Sequence, residues 1–355
     1  KSGGSNTLRV RVSLRPPKCE IMSLKNITIN LIVTIISILF ALFLVESFLR
    51  FNGQGPWGSL DDNRNDPTLN KSSTKLGWVP KQGKYFFEPF SADGEKFEIN
   101  ILPDGSRKVS FLEKKKPQMP KIIFLGGSVT LGWGVNDDQT FTSQLQKKFQ
   151  EYEIKNFSAG GYGTYQSFLR LEEIVKNNDR VEVVILSYLP HHSIRNIGSE
   201  FWLRTLTKYS KRGYVSLPYA SISEKNELIR KEPITYLKLP LMDNLSIINK
   251  VSKRIMQSKL KDNEKKAIPV TNLIFRDMRN YLKDKNIKLI VLNLSESQEV
   301  LKPYIKTFKA DKIDMINCNF KQTEKLTIKG DGHPNHLLHA KYSNCINENL
   351  KKILN

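Results

Sequence analysis

Cysteine is scarce in this sequence: 3 residues in 355, with no pair at the C-x-x-C spacing. That excludes a zinc ribbon and a thioredoxin-type redox site. Acidic residues are also in short supply, with 35 Asp+Glu against 56 Lys+Arg, for a net charge of +21. The excess admits nucleic acid, an anionic membrane surface or an acidic polymer as partner, and composition does not choose among them. Long apolar runs are absent save one, which excludes a polytopic membrane protein. Repeats and low-complexity tracts are absent too. Phe, Tyr, Ile and Leu recur along the chain, so general disorder is excluded. The length suits one large domain or two small ones.

The single apolar run decides the compartment. Asn26 to Val45 gives 20 residues without a charge. As a helix they span about 30 Å, the thickness of a bilayer's hydrocarbon core. No amphipathic stripe interrupts the run, which argues against a buried core helix. A cleaved signal peptide would have a shorter apolar region and a small-x-small site. The run ends in Val45-Glu46-Ser47-Phe48-Leu49-Arg50, which offers none. Residues 27–48 therefore read as an uncleaved transmembrane helix. Residues 1–26 hold six basic residues against one acid, Glu20, while Arg50 and Arg64 are the only basic residues from there to Asn70. The positive-inside bias predicts a cytoplasmic tail over 1–26 and an extracytoplasmic remainder. Met22 is followed at once by Ser-Leu-Lys and the run, so residues 1–21 read as an upstream extension. The tail takes +5 of the charge and leaves +16 outside. Anionic lipid or acidic glycan is the neighbour expected there; nucleic acid is not, since no recognition motif is present. In that compartment Cys318 and Cys345 are either two buried thiols or a disulfide.

Beyond the membrane, residues 49–84 are rich in Gly, Asn, Asp, Pro and Ser and read as a linker. Residues 85–120 read as a small β segment around the turn Pro103-Asp104-Gly105. From 121 to 355 the pattern is α/β. Lys121–Leu125, Val181–Tyr188 and Ile287–Leu294 are short apolar strands, and another ends near Asn156. Helices are predicted over Thr140–Tyr152, Tyr165–Asn178, Thr271–Lys285 and Leu337–Leu354, with Asn136, Asp137 and Asp138 as capping candidates for the first. Strands alternating with helices imply a parallel sheet covered on both faces. Residues 196–268 interrupt this rhythm as an insertion. Its basic run Lys250–Lys266 reads as a solvated helix face, with a lid or membrane-facing surface as the alternative.

Reactive groups in open α/β sheets sit beyond the carboxyl ends of strands, and four segments meet that rule. Gly126-Gly127-Ser128-Val129-Thr130 puts a serine on a strand-to-helix turn, where its Oγ and its own N–H can face a substrate. The Lys-Ser/Thr pair of a phosphate loop is missing. Asn156 to Thr164 carries Gly160, Gly161 and Gly163, which allow close backbone approach. Pro190 to Asn196 contains His191 and His192. Gly330-Asp331-Gly332-His333-Pro334-Asn335 sets a carboxylate two residues from an imidazole, as a base that must deprotonate a serine requires. His333, His336 and His339 also have a helical metal-ligand spacing, but no carboxylate or Cys completes a recognisable set.

In this order the segments resemble those of the SGNH (GDSL-like) hydrolase family, across 121–354. Gly126–Thr130, continued by Leu131-Gly132-Trp133-Gly134-Val135, is similar to the nucleophile block of its membrane-anchored bacterial members. Asn156–Gln166 looks like the second block. The resemblance implies a three-layer α/β/α, flavodoxin-like fold with a parallel sheet and a catalytic set of Ser128, Asp331 and His333. It places Ser128 and Gly161 in the oxyanion hole. The family's third block supplies an Asn donor, and here His191-His192 stand in its place. It also implies no cofactor, an acylated carbohydrate or other ester as substrate, and water or a sugar hydroxyl as acyl acceptor, on the periplasmic side of an inner membrane. The missing Asn motivates a rival reading, a weakly active or inactive module that binds glycan or a protein partner.

Overall fold

A computed structural model describes residues 24–58, 69–114, 116, 118–177, 180–209 and 215–354. The expected extension over 1–21 lies outside the described residues. The chain divides into two compact units, one of residues 1–57 with 241–249, the other of the remainder.

The first unit is built on helix α1 (Leu24–Phe51). Residues Lys25–Phe51 within it are long and apolar enough to cross a membrane. A helix suits that run because it satisfies every backbone group internally, which lipid requires. Towards its end, the Glu46 carboxylate accepts the N–H groups of Ser246 (2.9 Å) and Ile247 (3.0 Å), which open another helix. Arg50 donates to Glu46 (2.7 Å) and to the Asn244 carbonyl (2.7 Å).

The second unit begins with two antiparallel pairs, β1 (Asn70–Ser73) with β2 (Gly77–Pro80), and β3 (Gly83–Phe87) with β4 (Phe97–Ile101). The stretch from 69 to 80 corrects the far end of the expected linker. Its Gly, Asn and Ser content conceals three buried anchors, Leu69, Leu76 and Trp78. Then follow β5 (Lys121–Leu125), α2 (Ser128–Leu131), α3 (Phe141–Gln146), β6 (Glu153–Asn156), α4 (Thr164–Asn177), β7 (Val181–Tyr188), α5 (His192–Asn196) and α6 (Glu200–Tyr209). Next come the antiparallel pair β8 (Leu217–Ile222) and β9 (Leu228–Ile234), α7 (Ser246–Leu260), α8 (Ala267–Lys283), β10 (Lys288–Asn293), α9 (Ile305–Ala310), β11 (Asp314–Asn317) and α10 (His336–Leu354).

Five strands form one parallel sheet in the order β11-β10-β7-β5-β6. Counted within the sheet this is the flavodoxin-like order, and its switch point lies between β5 and β7. Those two strands are buried on both faces, hence their continuous apolar runs. On one face Phe141, Leu145, Leu338 and Tyr342 pack against Ile122, Phe124, Val183 and Ile290. Elsewhere in the unit, Phe275 of α8 packs edge-on against Tyr188, Tyr304 and Phe308. The fold is thus the three-layer arrangement expected. Helix α3 is shorter than predicted, and the reason is local. The Gln146 amide turns back, donating to the carbonyls of Phe149 and Tyr152 (both 2.9 Å) and accepting the Ile154 N–H (2.8 Å). It closes the chain into a turn where the helix would have continued.

Two long-range fixtures brace the site. Arg107 is 1% exposed, yet its guanidinium donates to Asp137 (3.0 Å) and to the carbonyls of Leu131, Gly132 and Val135. Full pairing of this kind is what makes a buried cation tolerable. It pins the loop that follows α2. Cys318 and Cys345 are joined as a disulfide with their Cα atoms 5.9 Å apart, and 27 residues separate them in sequence. The bridge fixes the chain leaving β11 to α10, and the closed segment carries Asp331 and His333.

Candidate active site

Four loops converge at the carboxyl ends of the sheet. Ser128 is the first residue of α2, directly after β5 and the extended Gly127. Its Oγ lies 2.8 Å from His333 Nε2. On the other side of the ring, His333 Nδ1 is 2.5 Å from Asp331 Oδ1, which also accepts the His333 backbone N–H at 3.1 Å. A carboxylate only accepts, so Nδ1 carries the proton and donates to Asp331. That leaves the Nε2 lone pair facing the serine hydroxyl. Burial raises the Asp331 carboxyl; hydrogen bonds from His333, its ring charge and the Trp133 indole outweigh this and hold it below the usual carboxylate range. The carboxylate therefore stays charged across the neutral range.

The loop holding Asp331 and His333 is fixed by its own backbone. The N–H groups of Asp331 and Gly332 donate to the Ile328 carbonyl, and Ile328 donates to that of His333 (2.8 Å). Gly330 has φ +84°, and a Cβ there would lie 2.8 Å from the Phe90 carbonyl oxygen. Only glycine fits that turn. Asn335 then caps α10, its Oδ1 accepting from Leu337 (3.1 Å) and Leu338 (3.2 Å).

The second-block loop is tied to the turn that carries Ser128. Asn156 donates to the Thr130 carbonyl (2.7 Å), and the Ala159 N–H to that of Gly126 (3.1 Å). From the other side the early hairpin grips it. The Trp78 indole donates to the Gly160 carbonyl (2.8 Å), the Tyr162 hydroxyl to the Trp78 carbonyl (2.5 Å), and Gln166 to that of Leu76 (2.9 Å). Gly161 sits between these contacts at φ +81°, with Trp78 3.0 Å and Trp202 3.4 Å from where a Cβ would be. Among the described residues, none of these bonds uses the N–H of Ser128 or Gly161.

The two histidines of the third segment take different places. His191 stays at the surface; packing around its ring, then the charges of Arg195 and His333, push its imidazole down to about 3. His192 is 1% exposed, and among the described residues neither ring nitrogen has a hydrogen-bond partner. Its ring meets Tyr188 edge-on, and its Nε2 lies 3.2 Å from the position a Cβ on Gly127 would take. Burial, then the charges of His191 and Arg195, keep it neutral. The metal spacing does not converge. His339 is buried and accepts the Phe141 N–H (3.2 Å), whereas His336 is exposed. Among the described residues no three His, Cys, Asp or Glu side chains gather to hold a metal ion.

Three residues at the site carried no role in the sequence reading: Trp78, Trp202 and Arg195. Arg195 belongs to the quoted third segment, and its proximity to a doubly basic pair was the only available signal.

No family model and no curated protein matches the chain. Among solved structures it is similar to TesA, at 11% identity over 66% of this chain and 99% of that one, with a TM-score of 0.37. It is similar to the psychrotrophic esterase EstA from Pseudoalteromonas sp., at 11% identity over 66% and 98%, with a TM-score of 0.38. It is also similar to Est24, a carbohydrate acetylesterase from Sinorhizobium meliloti, at 9% identity over 66% and 99%, with a TM-score of 0.39. The chain's own strand order agrees with the SGNH resemblance. The chemistry of the site follows from its own atoms.

Proposed function

We propose that this chain is a serine ester hydrolase, anchored by its N-terminal helix and acting on O-acyl groups outside the cytoplasm. The observation that carries the reading is the unbroken relay from Ser128 Oγ through His333 to Asp331, at 2.8 and 2.5 Å. In the reaction Ser128 Oγ attacks the ester carbonyl as His333 Nε2 takes its proton. Asp331 holds the ring and steadies the imidazolium. The N–H groups of Ser128 and Gly161, supplemented from the His191–His192 pair, receive the oxyanion. The alcohol leaves with the proton from His333. Water or a sugar hydroxyl then attacks the acyl-serine, its proton passing to His333 and back to Ser128. Acylated carbohydrate is the substrate class that a surface-anchored enzyme of this kind would meet.

Ser128→Ala decides the reading. The expected outcome is loss of hydrolysis of an aryl acetate by a factor of about 10⁴ or more, with folding intact. Equal rates for the two proteins would overturn it. A serine-directed fluorophosphonate separates the enzyme from the inactive binding module, because only an activated serine is labelled.

A further inference from the structure

The basic groups around Gly127 and Gly161 are built differently from the rest of the site. Arg107, the other deeply placed arginine, has a carboxylate and four carbonyls around its guanidinium. Arg195 has no Asp or Glu within ion-pair distance among the described residues. Its Nη1 donates to the Tyr162 carbonyl at 3.0 Å, and its Nε is buried without an acceptor. The guanidinium lies 4.0 Å over the ring of Trp202, whose own indole N–H is likewise buried and without a partner among the described residues. Nη1 comes within 3.6 Å, and His192 Nε2 within 3.2 Å, of the position a Cβ on Gly127 would occupy. The Trp202 edge reaches the same distance class from Gly161, at 3.4 Å. His192 thus brings an unpaired nitrogen, and Arg195 its guanidinium, to Gly127 beside Ser128, while the Trp202 ring that carries the guanidinium reaches Gly161.

Buried donors without acceptors are costly, and a desolvated cation without a counter-charge more so. The burial is felt: it lowers the Arg195 guanidinium to about 9. A fold that satisfies Arg107 completely has left this one open, partly exposed, beside Gly127. The group that would satisfy a planar guanidinium on an aromatic face is a carboxylate. A substrate carboxylate carries its charge throughout the bound state, whereas an oxyanion exists only for the duration of the tetrahedral intermediate.

We infer that Arg195, backed by His192 and Trp202, is an anion subsite next to Ser128, and that the substrate is an ester bearing a carboxylate close to its scissile acyl group. The inference rests on the hydrolase reading for its substrate and goes beyond it in naming the charge. The carboxylate has two sources, the alcohol side (an O-acetylated hexuronate) or the acyl side (a half-ester of a dicarboxylic acid).

The test compares wild type with Arg195→Gln on two matched pairs. One pair is O-acetylated methyl glucuronoside against O-acetylated methyl glucoside. The other is the para-nitrophenyl half-ester of succinic acid against para-nitrophenyl acetate. Loss of a charge-assisted bidentate contact is expected to lower the acidic-over-neutral kcat/KM ratio by about 30-fold or more in one pair, through KM. The pair that responds identifies the source. Arg195→Lys, which keeps the charge and loses the fork, restores part of the ratio. If Arg195→Gln leaves both ratios where they were, or slows all four esters alike, the subsite does not exist and the arginine is scaffold or oxyanion support. Binding of the same acetylated glucuronoside to the Ser128→Ala chain, with and without Arg195→Gln, gives a readout that needs no turnover. Wild type without Ser128-dependent hydrolysis would fail the hydrolase reading, while this titration still decides the subsite.

Discussion

The two flanks of Ser128 are finished to different degrees. On the acid–base flank, His333 bonds on both ring nitrogens, Asp331 accepts twice from His333, and Asn335 caps the helix that follows. On the oxyanion flank, His192, Arg195 and Trp202 all hold buried nitrogens that meet no partner among the described residues. The first flank is preorganised by the chain alone. The second is arranged for something the chain does not supply. Catalytic sites combine both conditions, because rigid donors must already point to where charge appears while recognition groups wait for the ligand to pair them.

Removing the orienting acid breaks the finished flank with the largest effect. Asp331→Asn preserves shape but offers an amide N–H where the ring needs an acceptor, so His333 turns its proton towards the serine. A loss in kcat of about 10⁴ on an aryl acetate is expected, with little change in KM. Retention of the wild-type rate would mean that Asp331 does not orient the base. On the unfinished flank, no comparable loss should follow from a change that merely leaves a recognition nitrogen unpaired.

The flanks also differed in how far the sequence revealed them. Asp331-Gly332-His333 is a local signal, two residues apart on a turn with its own glycines, and β7 is a run of eight residues whose burial follows from its composition. Both were legible without tertiary information. The grip of Trp78 on Gly160 joins residues 82 apart, inside a stretch with linker composition. The isolation of Arg195 is a fact about which carboxylates stay away, and no local pattern encodes it. The pairing of His192 with Gly127 is complementary, a ring fitting where a side chain is missing. Sequence reasoning met both residues and had no means to join them.

Each flank also buries a histidine, His339 on one and His192 on the other. His339 accepts the Phe141 N–H and is pushed down to about 3 by burial, then by the charges of Arg107, His333 and His336. His192 lies well below its ordinary range, again through burial first. For a base with a depressed folded pKa, the unfolded chain binds the extra proton. Stability is therefore full above the unfolded value of about 6.5 and declines as pH falls from there towards the folded value, at about 1.4 kcal/mol per pH unit for each histidine. His339→Gln keeps an acceptor for Phe141 and removes the titration. Urea unfolding of the full chain in detergent at pH 6.5 and 5.5 should show the acid loss reduced by about 1 kcal/mol in this variant. An unchanged loss would mean that His339 is protonated in the folded protein.

The smallest expected effect probes whether the early hairpin takes part in the chemistry. Trp78→Phe keeps an aromatic ring against Gly161 and deletes the indole N–H that holds the Gly160 carbonyl at 2.8 Å. One neutral hydrogen bond contributes about 1 kcal/mol to stability, so a modest loss there is expected in any case. The informative quantity is the split between kcat and KM. Complete loss of an oxyanion donor costs about 10²–10³ in rate. A Gly161 N–H that is only less firmly aimed should lower kcat by about fivefold to tenfold and leave KM for a neutral ester in place. If kcat stays at the wild-type value while stability falls, the hairpin is scaffold for the second-block loop and nothing more. If kcat falls first, residues 69–80 belong to the oxyanion flank, which would then depend for its aim on a segment outside the sheet that carries Ser128.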